Sequence, residues 1–257
     1  MTEVKERVTL ITGATGGIAQ ELIKLVPETD HLILVGRSKT KLEDLYGQLG
    51  HATLVALDIT DDEAVAELVD SVYDKFGRID ILVNNAGYAI YKEAEAFAMA
   101  EIRDMFNVNT LASINFCRLV AGRMKQSGSG HIINIVSMSG YVATAKSSIY
   151  SATKYAMIGY SDTLRLEMAE HGVYVTTINP GPVSTGFFDL ADPDGSYQKS
   201  VKAFTLSPEV VAQRIYRIFG QNKRNLNMPC ILSATHKFYT LFPRLSDWFA
   251  RNLFNLK

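Results

Sequence analysis

Strand-length apolar runs alternate with helix-like stretches along most of this chain, and that alternation limits the possible folds more than any other feature. The runs are RVTLIT (7–12), HLILVG (31–36), ATLVAL (52–57), DILVNN (80–85), HIINIVS (131–137) and VYVTTIN (173–179). Strands separated by helices pair in parallel through right-handed crossovers, and strands that are apolar throughout need cover on both faces. The predicted fold is α/β, a doubly wound parallel sheet of about seven strands with helices on both faces. One long helical stretch is expected over 99–126 and another over 148–170. Ser207, Pro208 and Glu209 supply an N-cap, a first-turn proline and an early acid for a further helix. A short strand near 228–232 would close the sheet. With 257 residues and no linker-like or repeated segment, a single domain over 1–257 is expected.

Lys and Arg number 26 against 27 Asp and Glu, a net charge of −1, which argues against a nucleic-acid partner. The two cysteines, Cys117 and Cys230, stand far apart with no Cys/His cluster, so neither a disulfide framework nor a metal site is expected. The N-terminal residues carry no signal-like apolar stretch, and no apolar run approaches the roughly 18 residues of a spanning helix. A cytoplasmic location is the expectation.

The first strand runs into TGATGGIA, with Thr12, Gly13, Gly17 and Ala19 spaced as T-G-x-x-x-G-x-[GA] between a strand and a helix. Small residues there let the backbone approach a pyrophosphate, whose charge meets free amides and the positive end of the helix. A plain strand–helix turn explains the glycines equally well when they are taken alone. The second strand ends Val35-Gly36-Arg37-Ser38, without the acid that would take two ribose hydroxyls. Arg37 suits a 2′-phosphate instead, which points to NADP(H) over NAD(H). Asp58 either accepts from an adenine amino group or caps the helix after Thr60.

Tyr150 and Lys154 stand four apart in YSATK and project from one helix face, while Ser137 ends a strand thirteen residues earlier. Parallel α/β sheets bind ligands at the carboxyl ends of their strands, so these groups can converge. Tyrosine becomes an acid–base group near neutrality only if its pKa falls by about 3 units, and a lysine within about 5 Å supplies much of that shift.

Taken in order, TGATGGIA, NNAG at 84–87, Asn109, Ser137, Tyr150 with Lys154, and NPGPVST at 179–185 resemble the short-chain dehydrogenase/reductase family. The resemblance covers about 7–232 and implies a Rossmann-like fold and a reaction between a carbonyl and an alcohol. It implies a catalytic set of Asn109, Ser137, Tyr150 and Lys154, with Tyr150 as proton donor and acceptor. Ser137 would polarise the same oxygen, Lys154 would also hold the nicotinamide ribose, and Asn109 would hold a water beside the lysine. The implied cofactor contacts are Gly13, Thr15, Gly16, Gly17, Ile18, Arg37, Asp58, Ile59, Asn85, Ala86, Gly87, Pro180, Gly181, Val183 and Thr185, with Tyr150 and Lys154. Two positions depart from the pattern. Ala19 replaces the usual last glycine, and Gly16 stands where some NADP-preferring relatives carry a basic residue, which keeps NAD(H) use open.

Residues 186–206, with Phe187, Phe188, Leu190, Tyr197 and Phe204, read as a substrate lid and suggest a non-polar ketone, aldehyde or alcohol. Residues 234–257 form an aromatic tail with Phe238, Leu241, Leu245, Trp248 and Phe249 at helix-like intervals. That tail reads either as packing over the pocket or a second subunit, or as a peripheral membrane contact. A homodimer or homotetramer through the two long helices is implied by the resemblance. The alternatives are a 3-oxoacyl-carrier-protein-type reductase and, in another class, a dinucleotide-sensing or scaffold protein that does no chemistry.

Overall fold

The computed structural model describes residues 6–192, 195, 198, 201–229, 238, 239, 241, 242, 244, 245 and 248. The chain opens with β1 (Val8–Thr12), α1 (Gly17–Ile23), β2 (His31–Gly36), α2 (Lys39–Tyr46), β3 (Ala52–Ala56), α3 (Asp62–Phe76) and β4 (Ile81–Asn84). It continues through α4 (Met99–Phe106), a π-helical turn (Asn107–Leu111), α5 (Ala112–Ser127), β5 (Gly130–Ile135), α6 (Ser148–Met168) and β6 (Val173–Pro180). A short α7 (Phe187–Ala191), α8 (Pro208–Arg217) and β7 (Asn225–Met228) follow. The sheet has seven strands in the order β3-β2-β1-β4-β5-β6-β7. Every neighbouring pair is parallel.

Neighbouring residues of a strand face opposite sides of the sheet, and the two cores follow from that. Leu10, Ile33 and Val35 face α3, α5 and α6, where Val65, Val69, Phe116, Val120 and Leu164 cover them. Ile11, Leu32 and Leu34 face α1, α2 and α8, meeting Leu22, Leu42, Val211 and Ile215. Local signals set the helix ends. Asp61 caps α3 by accepting from Ala64 N–H, Gly77 closes that helix with a left-handed turn, and Ser207 caps α8 ahead of Pro208.

Some expected boundaries move. The last strand is Asn225–Met228, upstream of the 228–232 expectation, and 230–232 lie outside the described residues. The stretch expected as one helix over 99–126 carries the π turn in its middle. Ser137 lies two residues beyond β5, where it caps a 3-10 turn at Met138–Gly140. Most of the 234–257 tail and Tyr197 of the lid lie outside the described residues, while Leu241 and Trp248 are exposed. Among the described residues no helix is long and apolar enough to cross a membrane.

Buried His131 ties the far end of the sheet together. Its Nδ1 accepts from Gly220 N–H at 3.1 Å, which assigns the proton to Nε2, and Nε2 donates to Thr176 Oγ1 at 2.8 Å. Thr176 in turn donates to the Lys223 carbonyl, so β5, β6 and the turn before β7 share one chain of hydrogen bonds. Burial pushes the imidazole pKa down to about 4, so it works as a neutral ring.

Candidate active site

The strand order reverses direction between β1 and β4, and the loops at the carboxyl ends diverge there to leave a crevice. The candidate residues fall along that edge in spatial order. Asp58 follows β3, Arg37 follows β2, Gly13 to Gly17 follow β1, Asn85 to Gly87 follow β4, Ser137 follows β5 and Pro180 ends β6.

At the crevice the β1 turn and the β4 loop are stitched together. Thr12 Oγ1 accepts from the N–H groups of Asn85 and Ala86 at 3.1 and 3.2 Å, and Asn85 Nδ2 donates to the Gly13 carbonyl at 2.9 Å. Gly13 adopts φ +63°, and a Cβ there would stand 2.7 Å from Ala86 Cα, so only glycine permits this approach. A Cβ on Gly17 would stand 2.6 Å from Thr185 Cγ2, which brings the NPGPVST loop against the same turn. Val183 is buried, Gly181 N–H donates to the Met228 carbonyl at 2.6 Å, and Val183 bridges to Leu206. Gly16, at the N-cap of α1, makes no side-chain cap, and Ile18, two residues on, is half-buried.

Toward β3, Arg37 is exposed at the end of its strand, and Asp58 lies within its electrostatic reach. Asp58 Oδ1 accepts from Thr60 N–H at 3.0 Å and Thr60 Oγ1 at 2.8 Å. Those Thr60 bonds, backbone first, and the Arg37 charge hold its carboxyl below the ordinary range. The helix cap itself belongs to Asp61, so Asp58 shapes the turn before α3 instead of capping it. Ile59 beside it is buried.

The other end holds the chemical groups. Tyr150, Lys154 and Thr153 all lie on the buried side of α6. Lys154 Nζ donates to the Ile135 carbonyl at 3.1 Å and sits 5.7 Å from the Tyr150 ring centroid. Burial lowers the lysine pKa to about 8. A Cβ on Gly87 would lie 3.1 Å from Asn109 Oδ1 and 3.5 Å from Lys154 Nζ, so the bare glycine lets both converge on one spot. Asn109 Oδ1 accepts from Tyr88 N–H at 2.9 Å, and its Nδ2 donates to the Tyr88 carbonyl at 2.8 Å and to Thr153 Oγ1 at 3.2 Å. Ser137 Oγ accepts from Ser139 N–H at 3.1 Å, leaving its own proton for another acceptor. A cation held beside a phenol stabilises phenolate. The arrangement can therefore pass a proton to and from an oxygen placed against Tyr150.

Sequence reasoning missed several neighbours. Tyr91 and Phe187 flank the Tyr150 ring, at centroid distances of 6.1 and 5.8 Å, within an apolar cluster that includes Phe97, Met105 and Phe188. Phe187 was legible as lid content, whereas nothing in the sequence around Tyr91 marks it. Tyr46 donates to the Ala14 carbonyl at 2.7 Å and Gln20 Nε2 to the Thr15 carbonyl at 2.9 Å, contacts without a sequence signature.

The family model described as short chain dehydrogenase matches residues 7–194. An uncharacterised oxidoreductase of Staphylococcus epidermidis is 32% identical over 213 residues, covering 82% of this chain and 92% of that protein. A Staphylococcus aureus protein of the same description is 32% identical over 231 residues, covering 88% and 97%. Among solved structures, a short-chain dehydrogenase from Streptomyces avermitilis superposes with a TM-score of 0.82 at 26% identity, covering 95% of this chain and 97% of that one. The closed form of a serine dehydrogenase complexed with NADP+ superposes at 0.78 with 30% identity, covering 86% and 94%.

Proposed function

The chain belongs to the short chain dehydrogenase family, and from that premise we propose that it is an NADP(H)-dependent oxidoreductase that reduces a non-polar ketone or aldehyde to its alcohol. The observation that carries this reading is the order of groups along the sheet edge. Arg37 and Asp58 stand beyond β2 and β3, the glycine turn beyond β1, Asn85 to Gly87 beyond β4, Ser137 beyond β5, and Tyr150 with Lys154 on α6.

The residues fit a nicotinamide dinucleotide. Gly13 and Gly17 keep the turn free of side chains, and the Thr15 N–H has no acceptor among the described residues. Arg37 would take the 2′-phosphate, and a relative at 30% identity is complexed with NADP+. Asp58, Ile59, Thr15, Gly16, Ile18 and Asn85 to Gly87 would line the adenosine and pyrophosphate. Pro180, Gly181, Val183 and Thr185 would line the nicotinamide. When bound, the cofactor supplies hydride to the carbonyl carbon.

Ser137 donates to the carbonyl oxygen and polarises it, and Tyr150 delivers its phenolic proton to the same atom. Lys154 would favour the resulting phenolate and hold the nicotinamide ribose. The Asn109 side chain is already engaged by Tyr88 and Thr153. It therefore fixes the loop beneath Lys154, and a relay water beside the lysine would be held at the π turn that carries Asn109. The apolar surround of Tyr150 supports a non-polar substrate and excludes bulk water from the transfer. Exposed Leu111, Tyr155 and Leu166, on the two long helical stretches, support assembly as a homodimer or homotetramer.

Fluorescence-monitored titration with NADPH and NADH, followed by turnover on a panel of apolar ketones, tests the proposal. Tighter NADPH binding with turnover is expected. Binding without turnover on any ketone would favour a dinucleotide sensor, and turnover confined to carrier-linked 3-oxoacyl groups would favour the acyl-carrier reading.

A further inference from the structure

Three consecutive carbonyls of the β1 turn are each held by a side chain from a different part of the fold. Asn85 Nδ2 donates to Gly13 O at 2.9 Å, Tyr46 Oη to Ala14 O at 2.7 Å and Gln20 Nε2 to Thr15 O at 2.9 Å. Asn85 comes from the β4 loop and Gln20 from α1, but Tyr46 reaches in from the last turn of α2, 32 residues along the chain.

In a trans peptide the C=O and N–H point in opposite directions. Fixing the Ala14 carbonyl toward α2 therefore aims the N–H of Thr15 the other way, into the crevice. Ala14 is fully buried and Tyr46 is only 6% exposed, so no water stands ready to replace the hydroxyl. Without that donor the Ala14 carbonyl gains by rotating toward solvent, and a rotated peptide presents oxygen to an incoming phosphate. Burial pushes the Tyr46 phenol up to about 12, so it remains a donor throughout the neutral range.

We propose that Tyr46 is a positioning residue of the dinucleotide site, its hydroxyl locking the Ala14–Thr15 peptide so that the turn meets the pyrophosphate with N–H instead of C=O. This rests on the reading that a dinucleotide binds at the β1 turn. Tyr46 touches neither cofactor nor substrate and acts through the backbone alone. Gln20 steadies Thr15 from its other side by holding the Thr15 carbonyl, while the N–H of the next peptide, on Gly16, already donates to the Gly13 carbonyl at 2.9 Å.

Calorimetric titration of wild type, Tyr46→Phe and Gln20→Met with NADPH and NADH tests the proposal, with 2′-AMP, which lacks a pyrophosphate, titrated to millimolar concentration by NMR. Phenylalanine keeps the ring that packs with Leu22 and Leu42. For Tyr46→Phe the Kd of the tighter dinucleotide should rise about tenfold, at the upper end of what one hydrogen bond contributes. The 2′-AMP signal should be unchanged, and Gln20→Met should lose affinity severalfold with the same selectivity. Equal dinucleotide affinity in wild type and Tyr46→Phe overturns the positioning role, as does a parallel loss of both probes, which marks a general structural effect. If wild type binds neither dinucleotide, the cofactor reading fails and takes this one with it. Should Tyr46→Phe not fold, the same comparison on Gln20→Met decides.

Discussion

Replacing Lys154 with methionine should make the cofactor-free protein more stable while removing its activity. Burial lowers the lysine pKa from 10.5 to about 8, so holding the charge at neutral pH costs about 3 kcal/mol, at 1.36 kcal/mol per unit. Methionine fills a similar volume without a charge. It forfeits the bond from Nζ to the Ile135 carbonyl, which contributes about 1 kcal/mol. The net gain at pH 7 is then about 2 kcal/mol, a rise in Tm of roughly 4–8 °C for a chain of this size. The pH dependence has a definite sign. Because the folded pKa lies below the unfolded one, the native protein binds fewer protons between pH 8 and 10.5, and wild-type stability rises across that window. The advantage of the variant should therefore vanish by about pH 10. Thermal unfolding of both proteins without cofactor at pH 7 and pH 10, alongside turnover, makes the comparison. A variant less stable than wild type at pH 7, or a gap that does not move with pH, would refute the argument that a buried charge is held there against its solvation cost.

Tyr150→Phe should keep dinucleotide affinity and lose at least about 10²-fold in turnover, the range of general acid–base contributions, so surviving turnover would remove Tyr150 from the proton path. Arg37→Asp should reverse the preference between NADPH and NADH in paired titrations; an unchanged ratio would place 2′-phosphate recognition on other residues. The His131 imidazole, held neutral down to about pH 4, should give stability that is complete above pH 6.5 and falls by about 3 kcal/mol as the pH drops to 4. Urea midpoints of wild type and His131→Gln at pH 7.5 and 4.5 measure this, and parallel loss in both proteins would show that His131 is not responsible.

The sheet was legible wherever a strand is buried on both faces, because burial leaves a continuous apolar run that local reading can detect. Strands β2 and β6 begin where the residues predicted them to begin. Strand β7 failed that test for a physical reason: NLNM lies at the sheet edge with most of its residues half-exposed, so no apolar run marks it and the expectation slid downstream. Within the site, Tyr150 and Lys154 were legible because their spacing is helical, and the glycine turn because steric demand falls on single residues. Contacts between distant segments left no such trace. The residues NVNTL read as ordinary helix, yet they form a π turn whose Asn109 side chain grips the Tyr88 peptide 21 residues away. The same holds for Tyr46 and Ala14, where an ordinary buried helix position supplies the hydroxyl for a carbonyl that local sequence gives no reason to suspect. Periodicity reports which face of an element is buried, and it says nothing about which polar atom on that face must meet which backbone group. The residues proposed to transfer the proton could thus be named from sequence, while the side chains that hold their neighbours and the glycine turn in place could be found only from geometry.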